Sequence, residues 1–344
     1  MKRYPQVDLA RGIGIVLVVL GHALRQDGAL PALMENMISV IYSFHMPLFF
    51  FLSGFVSVRV LSLRGPRQVS GWLKGRAGRL LIPYFFVSIC YLPLKAFLSR
   101  YAQKPFALRD AWRILIGESP DTMLWYLYVL FALCLISALI VREKTLPFVT
   151  AAALAAVLFA PRLHPEVLSR LAQNGFYFFF GMAARSAEDS ADPGCGIFFG
   201  ELRSRRESRY ELIACAVLFI SGNAARIGLG MGSSSPAGIL TALAGIGLTL
   251  AAARALCRTG NAAGRAVSFL GQRSMDIYMM SDAAHTAVRI AWAAAGLGAW
   301  AGALISFAAG LLLPLAAGEL IVRRVPLLRL LILGEKKRAL PGTK

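Results

Sequence analysis

The stretch Arg3-Tyr4-Pro5-Gln6-Val7-Asp8-Leu9-Ala10-Arg11-Gly12-Ile13-Gly14-Ile15-Val16-Leu17-Val18-Val19-Leu20-Gly21-His22 decides how this chain is read. An apolar run from Ile13 to Leu20 is bracketed by Asp8 and Arg11 on one side and His22 on the other. Ionisable groups at membrane depth are costly, so they mark functional sites by default. At about 100° per residue, Arg11 and His22 fall within about 20° of each other on a helix, and Asp8 lies near the same stripe. The helical rise separates Arg11 from His22 by about 16 Å. One helix face therefore holds a cation near one membrane surface and an imidazole deep or toward the other. Two plainer readings stand beside this one. Asp8 and Arg11 at i, i+3 make a local ion pair at a helix start, and His22 is a hydrogen-bonded core histidine. A cleaved leader is disfavoured, because Asp8 and Arg11 interrupt the approach to the apolar run and no small-x-small site follows.

Outward from this helix, the pattern repeats. Apolar residues make up 57% of the chain and the mean hydropathy is +0.61, which fits a polytopic membrane protein better than two soluble domains. In lipid, backbone polar groups must be satisfied internally, so the spans are expected to be helices. The fold class expected is all-α with about ten transmembrane helices. They lie near 8–26, 37–58, 80–99, 123–141, 146–160, 171–186, 210–228, 237–256, 274–295 and 299–322. The fifth is the shortest. The net charge of +19 does not indicate nucleic-acid binding. Lys and Arg gather in alternate loops, among them Arg59 to Arg79, Arg185 to Arg209 and Arg254 to Arg273, and in the tail from Arg323 to Lys344. With Lys2 and Arg3, these fall on one side if both termini are cytoplasmic. One transmembrane domain over 1–334 and a basic cytoplasmic tail over 335–344 follow. Pro326 and the charges after Gly334 suggest a short interfacial helix. The segment 187–209 reads as a cytoplasmic loop, and 100–122 as the longest outward one. The five cysteines, Cys90, Cys134, Cys195, Cys215 and Cys257, form no C-x-x-C pair, so neither a disulfide framework nor a metal site is expected.

The second span carries Ser43-Phe44-His45-Met46-Pro47-Leu48-Phe49-Phe50-Phe51-Leu52-Ser53-Gly54-Phe55. It holds a second intramembrane histidine. Pro47 frees the carbonyl of Ser43 and predicts a kink. Ser53-Gly54 permits close helix approach. His45 and Ser53 are candidates for a substrate pocket, with ordinary buried-polar packing as the alternative.

These motifs resemble acyltransferase family 3, a family of integral membrane proteins, and the fit is closest to its fucose 4-O-acetylase-like branch. The resemblance rests on Asp8-x-x-Arg11-Gly12, Arg11-x10-His22, Phe44-His45-Met46-Pro47 and Ser53-Gly54-Phe55. Further matches are Arg76-x-x-Arg79-Leu80-x-x-Pro83-Tyr84, Leu124-Trp125-Tyr126-Leu127, Phe176 to Gly181, Gly271-x-x-Ser274-x-x-Ile277-Tyr278 and Val325-Pro326-Leu327-x-Arg329. One departure is visible. The family often has a histidine two or three residues after the Ile-Tyr pair; here Met280 and Ser281 stand there, and His285 follows one turn later.

The resemblance implies transfer of an acyl group, usually acetyl, from a cytoplasmic coenzyme A thioester to a hydroxyl of a sugar or cell-surface glycan. The expected location is a bacterial inner membrane. An imidazole is suited to take the proton of a hydroxyl, and coenzyme A phosphates call for Arg or Lys. The expected roles follow. His22 is the base or first takes the acyl group itself, and Asp8 fixes Arg11. Arg11, Arg76 and Arg79 hold phosphates, while Trp125, Tyr126 and Tyr278 line the pocket. Positive-inside charge accounts equally for Arg76 and Arg79, and an interfacial aromatic belt for Trp125 and Tyr126. Glu319 is either a proton carrier or a partner to an arginine. The rival functional reading is a proton-coupled transporter or a glycan-lipid flippase.

Overall fold

The computed structural model describes residues 4–25, 30–97, 108–121, 123–190, 205–295 and 298–335. Lys2, Arg3, Cys195, the Pro193-Gly194-Gly196 segment, Arg203 and the basic tail beyond Glu335 lie outside the described residues. Each of the ten apolar runs holds helix among the described residues, the second as two helices, and the described residues contain no strand. The helices are α1 (Pro5–Ala23), α2 (Ala32–Tyr42), α3 (His45–Phe55), α4 (Pro66–Phe97), α5 (Trp125–Ile140), α6 (Leu146–Phe159), α7 (Glu166–Ser190), α8 (Arg205–Gly228), α9 (Pro236–Thr259), α10 (Ala262–Gln272), α11 (Ser274–Ala295), α12 (Ala299–Ala317) and α13 (Pro326–Leu333). By length and composition, five helical stretches among the described residues can cross a membrane: Pro5–Ala23, Ala32–Ser62, Arg209–Gly228, Pro236–Thr259 and Ala299–Val322.

Local chemistry sets the helix ends. Pro5 opens α1, where its missing N–H costs nothing, and Asp8 sits in the first turn against the positive end of the helix. Ser235 and Asn261 cap α9 and α10 by accepting from the Gly238 and Gly264 amides at 3.1 and 2.8 Å. The second span is two helices, and the break falls where Pro47 predicts it. Phe44, at φ −143° and ψ −18°, separates α2 from α3. At the break Ser43 Oγ donates to the Val40 carbonyl at 2.7 Å, and His45 Nδ1 lies 2.9 Å from the Ile41 carbonyl. The short helix suggested by Pro326 is α13, closed by Gly334 at φ +64°.

The core is built on α1 and α3. Leu48, Phe50, Phe51, Leu52 and Phe55 of α3 are completely buried. In contrast, only 17% of the apolar window of α8 and 28% of that of α12 is buried, against 61% for α1. Outward-facing Ile213, Leu218, Ile220, Leu304, Leu312 and Leu313 give the bundle an apolar exterior suited to lipid. Two crossings bring backbones into contact. A Cβ on Gly54 would sit 1.8 Å from the Phe178 carbonyl oxygen, and one on Gly181 2.0 Å from that of Phe51, so α3 and α7 touch through glycines. Likewise a Cβ on Gly12 would sit 2.0 Å from the Val267 carbonyl oxygen and one on Gly271 1.7 Å from that of Asp8, so α1 and α10 also meet through glycines.

One segment departs from the sequence expectation. Residues 108–121 do not form a free outward loop. Tyr84 and Lys95 of α4 donate to the Ile114 and Pro120 carbonyls at 2.8 and 2.7 Å, and Ser88 meets Ser119 at 2.8 Å. Met123 then packs against Ile15, Val18, Val19 and Ile277, level with the middle and C-terminal half of α1. Non-helical backbone at such depth is tolerated only where protein surrounds it and satisfies its polar groups. Here α4 and α11 supply the donors.

The α3–α7 crossing yields a test. Gly54→Val and Gly181→Val are expected to lower stability by about 1–3 kcal/mol or more through overpacking, while Gly71→Ala, which meets nothing within 4 Å, leaves it unchanged or slightly raised. Thermal midpoints in detergent, followed by size-exclusion recovery after heating, measure all three.

Candidate active site

The polar residues of α1 are distributed along a path with three levels. At the level of the N-terminal half, Arg11 is partly buried and within electrostatic reach of Tyr126, Asp8, Arg79 and Arg76. Asp8 makes its own polar contact there. Arg76 stacks over the Trp72 ring at 5.1 Å. Arg79 is engaged by the end of α13: its Nη1 donates to the Leu333 carbonyl and pairs with Glu335, both at 2.8 Å. Its Nε and Nη2 are not used in these contacts.

The middle level is aromatic. Ser53 Oγ and Tyr126 OH are 2.8 Å apart. Tyr126 packs edge-on against Phe50, with centroids 4.9 Å apart, and against Tyr278, at 5.7 Å. Tyr278 OH donates to the Met123 carbonyl, so the inward-dipping segment and α11 are tied together.

Above this layer lies a cavity of about 1000 Å³. His22, His45, Trp125 and Tyr278 all line it. Four of the ten residues singled out from sequence thus share one chamber, while Asp8, Arg11, Ser53, Arg76, Arg79 and Tyr126 stand outside its lining. The rings of His22 and Tyr42 are 6.1 Å apart, and those of Tyr42 and His45 4.7 Å. A Cβ on Gly21 would stand 2.9 Å from the Tyr42 ring, so the glycine before His22 makes room for that tyrosine. The cavity rim is charged: Arg25, Glu35, Lys95, Arg170, Asp282 and Arg289 surround it. Arg170 covers the Trp125 ring at 4.5 Å. No group of three or more His, Cys, Asp or Glu side chains suited to a metal ion occurs among the described residues.

Sequence reasoning left His285 without a role and did not single out Asp282. His285 stacks on His22, with centroids 6.1 Å apart and an interplanar angle of 24°. Asp282 also faces the cavity; its position inside an apolar run was the available signal. Glu319, left open between two roles, is a partner to arginine: it pairs with Arg273 and lies 3.8 Å from Arg323.

Residues 4–319 match the family model described as an acyltransferase domain, that of acyltransferase family 3. The chain belongs to this family. It is also 29% identical over 160 residues to the nodulation protein NolL of Mesorhizobium japonicum. That alignment takes in 45% of this chain and 40% of the relative, so the chain matches well under two thirds of that protein's length. No solved structure matches the chain. Membership of this family and the apolar helical bundle together mark it as a membrane protein.

The contacts around α13 give this family member a second network. Arg323 holds Asp276 through two bonds of 2.6 and 2.9 Å and reaches Glu335 at 3.3 Å. Burial raises the Glu335 pKa, but the hydrogen bond and charge of Arg79, with Arg323 and Arg329 behind it, outweigh this and leave it below its ordinary 4.5. A carboxylate with a lowered folded-state value contributes stability above its ordinary value and loses it as pH falls through the lower one. Docking of α13 is therefore expected to hold unchanged from pH 8 to 5 and to weaken only in stronger acid. Glu335→Gln should loosen it throughout that range. Hydrogen exchange of residues 326–335 in detergent is the measurement.

Proposed function

We propose that this protein is a membrane O-acyltransferase that moves an acyl group, acetyl in the simplest case, from acyl-coenzyme A to a hydroxyl of a sugar or cell-surface glycan. The observation that carries the reading is the position of His22. It lies in the large cavity, beside a second imidazole, on the helix that bears Arg11 about three turns away. The loop charges favour ten crossings with both termini in the cytoplasm of a bacterial cell and the bilayer of its inner membrane around the bundle. In that orientation Arg11, Arg76 and Arg79 face the cytoplasmic donor, and the cavity faces the acceptor.

The chemistry is a single displacement. His22 takes the proton of the acceptor hydroxyl as its oxygen attacks the thioester carbonyl. The C–S bond then breaks, and the departing thiolate of coenzyme A recovers the proton from His22. Arg11 and Arg76, with the unused N–H groups of Arg79, offer a cationic seat for the phosphates. Asp8 steadies Arg11 from the same helix turn. Tyr126 and Tyr278 lie between that seat and the cavity, so the thioester end of the donor reaches His22 only when this pair parts. His45 and Trp125 complete the walls around the acceptor, and Ser53 holds Tyr126 in the layer beneath.

Release of free coenzyme A thiol from acetyl-CoA by purified protein in nanodiscs tests the reading, with water as the fallback acceptor. Wild type should turn over, and His22→Ala should fall by about 10²–10⁴-fold at equal expression. His22→Ala with wild-type turnover would sink the assignment of the base. A wild type that neither binds nor consumes acetyl-CoA would favour a transporter.

A further inference from the structure

His285 is the cavity group that the reaction above leaves without a task. Its ring is 7% exposed and lies against His22. Nδ1 is 2.9 Å from Ser306 Oγ of α12. Nε2 is buried and has no hydrogen-bond partner among the described residues, although His285 lines the cavity. The neighbouring helix is cut away for the ring. A Cβ on Gly310, one turn beyond Ser306, would stand 2.4 Å from Cε1 and 2.7 Å from Nε2. An imidazole kept only for packing gains nothing from a notch that leaves one ring nitrogen unsatisfied. A buried polar atom without a partner, facing a chamber, indicates a ligand atom that completes it.

The tautomer follows from Ser306. Four buried hydroxyls, Ser57, Ser137, Thr241 and Thr249, give their proton to the carbonyl four residues earlier, while Ser43 gives it to Val40 and Ser88 and Ser281 turn to side chains. Ser306 is 1% exposed and makes no such bond; its partner is His285 Nδ1. A buried hydroxyl proton needs an acceptor, so Ser306 donates to Nδ1. The ring proton then resides on Nε2, and the imidazole presents an N–H to the cavity.

We propose that His285 is a catalytic residue of the transfer reaction, its Nε2–H donating to the thioester oxygen as that oxygen gains negative charge, with Ser306 as the positioning residue that fixes the tautomer. This rests on the acyl-transfer reading with His22 as base. His22 takes the hydroxyl proton, the new C–O bond forms, and the carbonyl pair moves onto oxygen. His285 stabilises that charge without giving up its proton. Collapse re-forms the carbonyl and expels the thiolate, which takes the proton from His22. The two stacked rings thus perform opposite tasks, one accepting a proton and the other donating a hydrogen bond.

The test uses full-length protein in nanodiscs with acetyl-CoA as the probe and coenzyme A thiol as the readout. His285→Ala should lower kcat by roughly 100-fold or more with KM for acetyl-CoA within about threefold. His285→Gln, which keeps an N–H donor, should recover about tenfold of that loss, and Ser306→Thr should outperform Ser306→Ala by a similar factor. Independently of any variant, ¹⁵N spectra of histidine-labelled wild type should show His285 protonated at Nε2 and bare at Nδ1. Wild-type kcat in His285→Ala, Gln no better than Ala, or a proton on Nδ1 would each overturn the proposal. If wild type turns over, His22→Ala is dead and His285→Ala is intact, this proposal alone falls. A wild type inert toward acetyl-CoA removes the acyl-transfer reading and this proposal with it.

Discussion

A helix that carries a guanidinium and an imidazole through an apolar bundle cannot be left to lipid. Each group needs polar company, and each turn of the helix between them needs tight apolar packing to keep the stripe in register. The rest of the structure meets these two demands on α1. Gly12 and Gly271 let α10 lie against its backbone on one side. On another, Met123 fills the space beside Ile15, Val18 and Val19. The remaining face is given to Arg11, to the tyrosines above it and to the histidine cavity.

The same demand explains where regular structure is interrupted. The break between α2 and α3 turns His45 toward the cavity, and its ring nitrogen meets a carbonyl near the break, the Ile41 oxygen. The segment before α5 abandons the helix so that Trp125 and Tyr126 can begin deep inside the bundle. Its exposed carbonyls are taken up by Tyr84, Lys95 and Tyr278, each from a helix already in place. A π-helical turn at Gly318–Val322 brings Glu319 and Arg323 to Arg273 and Asp276, at the end of the protein where α13 is fastened. At the first two of these interruptions side chains are present to satisfy the irregular backbone.

Features fixed by short-range chemistry were legible in the chain. The stripe of α1 follows from helical periodicity, the break near Ser43 from Pro47, and α13 from Pro326 and Gly334. That His22 and His45 line one chamber was suggested by their occurrence in successive apolar runs. What stayed hidden depends on long-range packing. Nothing local says that Met123 dips to α1, because the segment before it reads as an ordinary polar connection. Nothing local says that α10 lies against α1, or that Arg79 is tied to Glu335. The stack of His285 on His22 needs α11 and α12 to be placed first, and the notch at Gly310 has meaning only once they are. The family resemblance covered almost the whole chain, yet it pointed to a histidine position where this sequence has Met280 and Ser281.

The aromatic layer formed by Phe50, Tyr126 and Tyr278 has a consequence beyond the reaction. Together with Met123 it stands between the arginine level and the cavity. A bundle with charged groups at both ends and a chamber in between would otherwise offer ions and protons a continuous wet route through the bilayer. The packed tyrosines put aromatic rings and a carbonyl-bound hydroxyl across that route, so the layer that divides donor side from cavity also separates the two charged levels electrically.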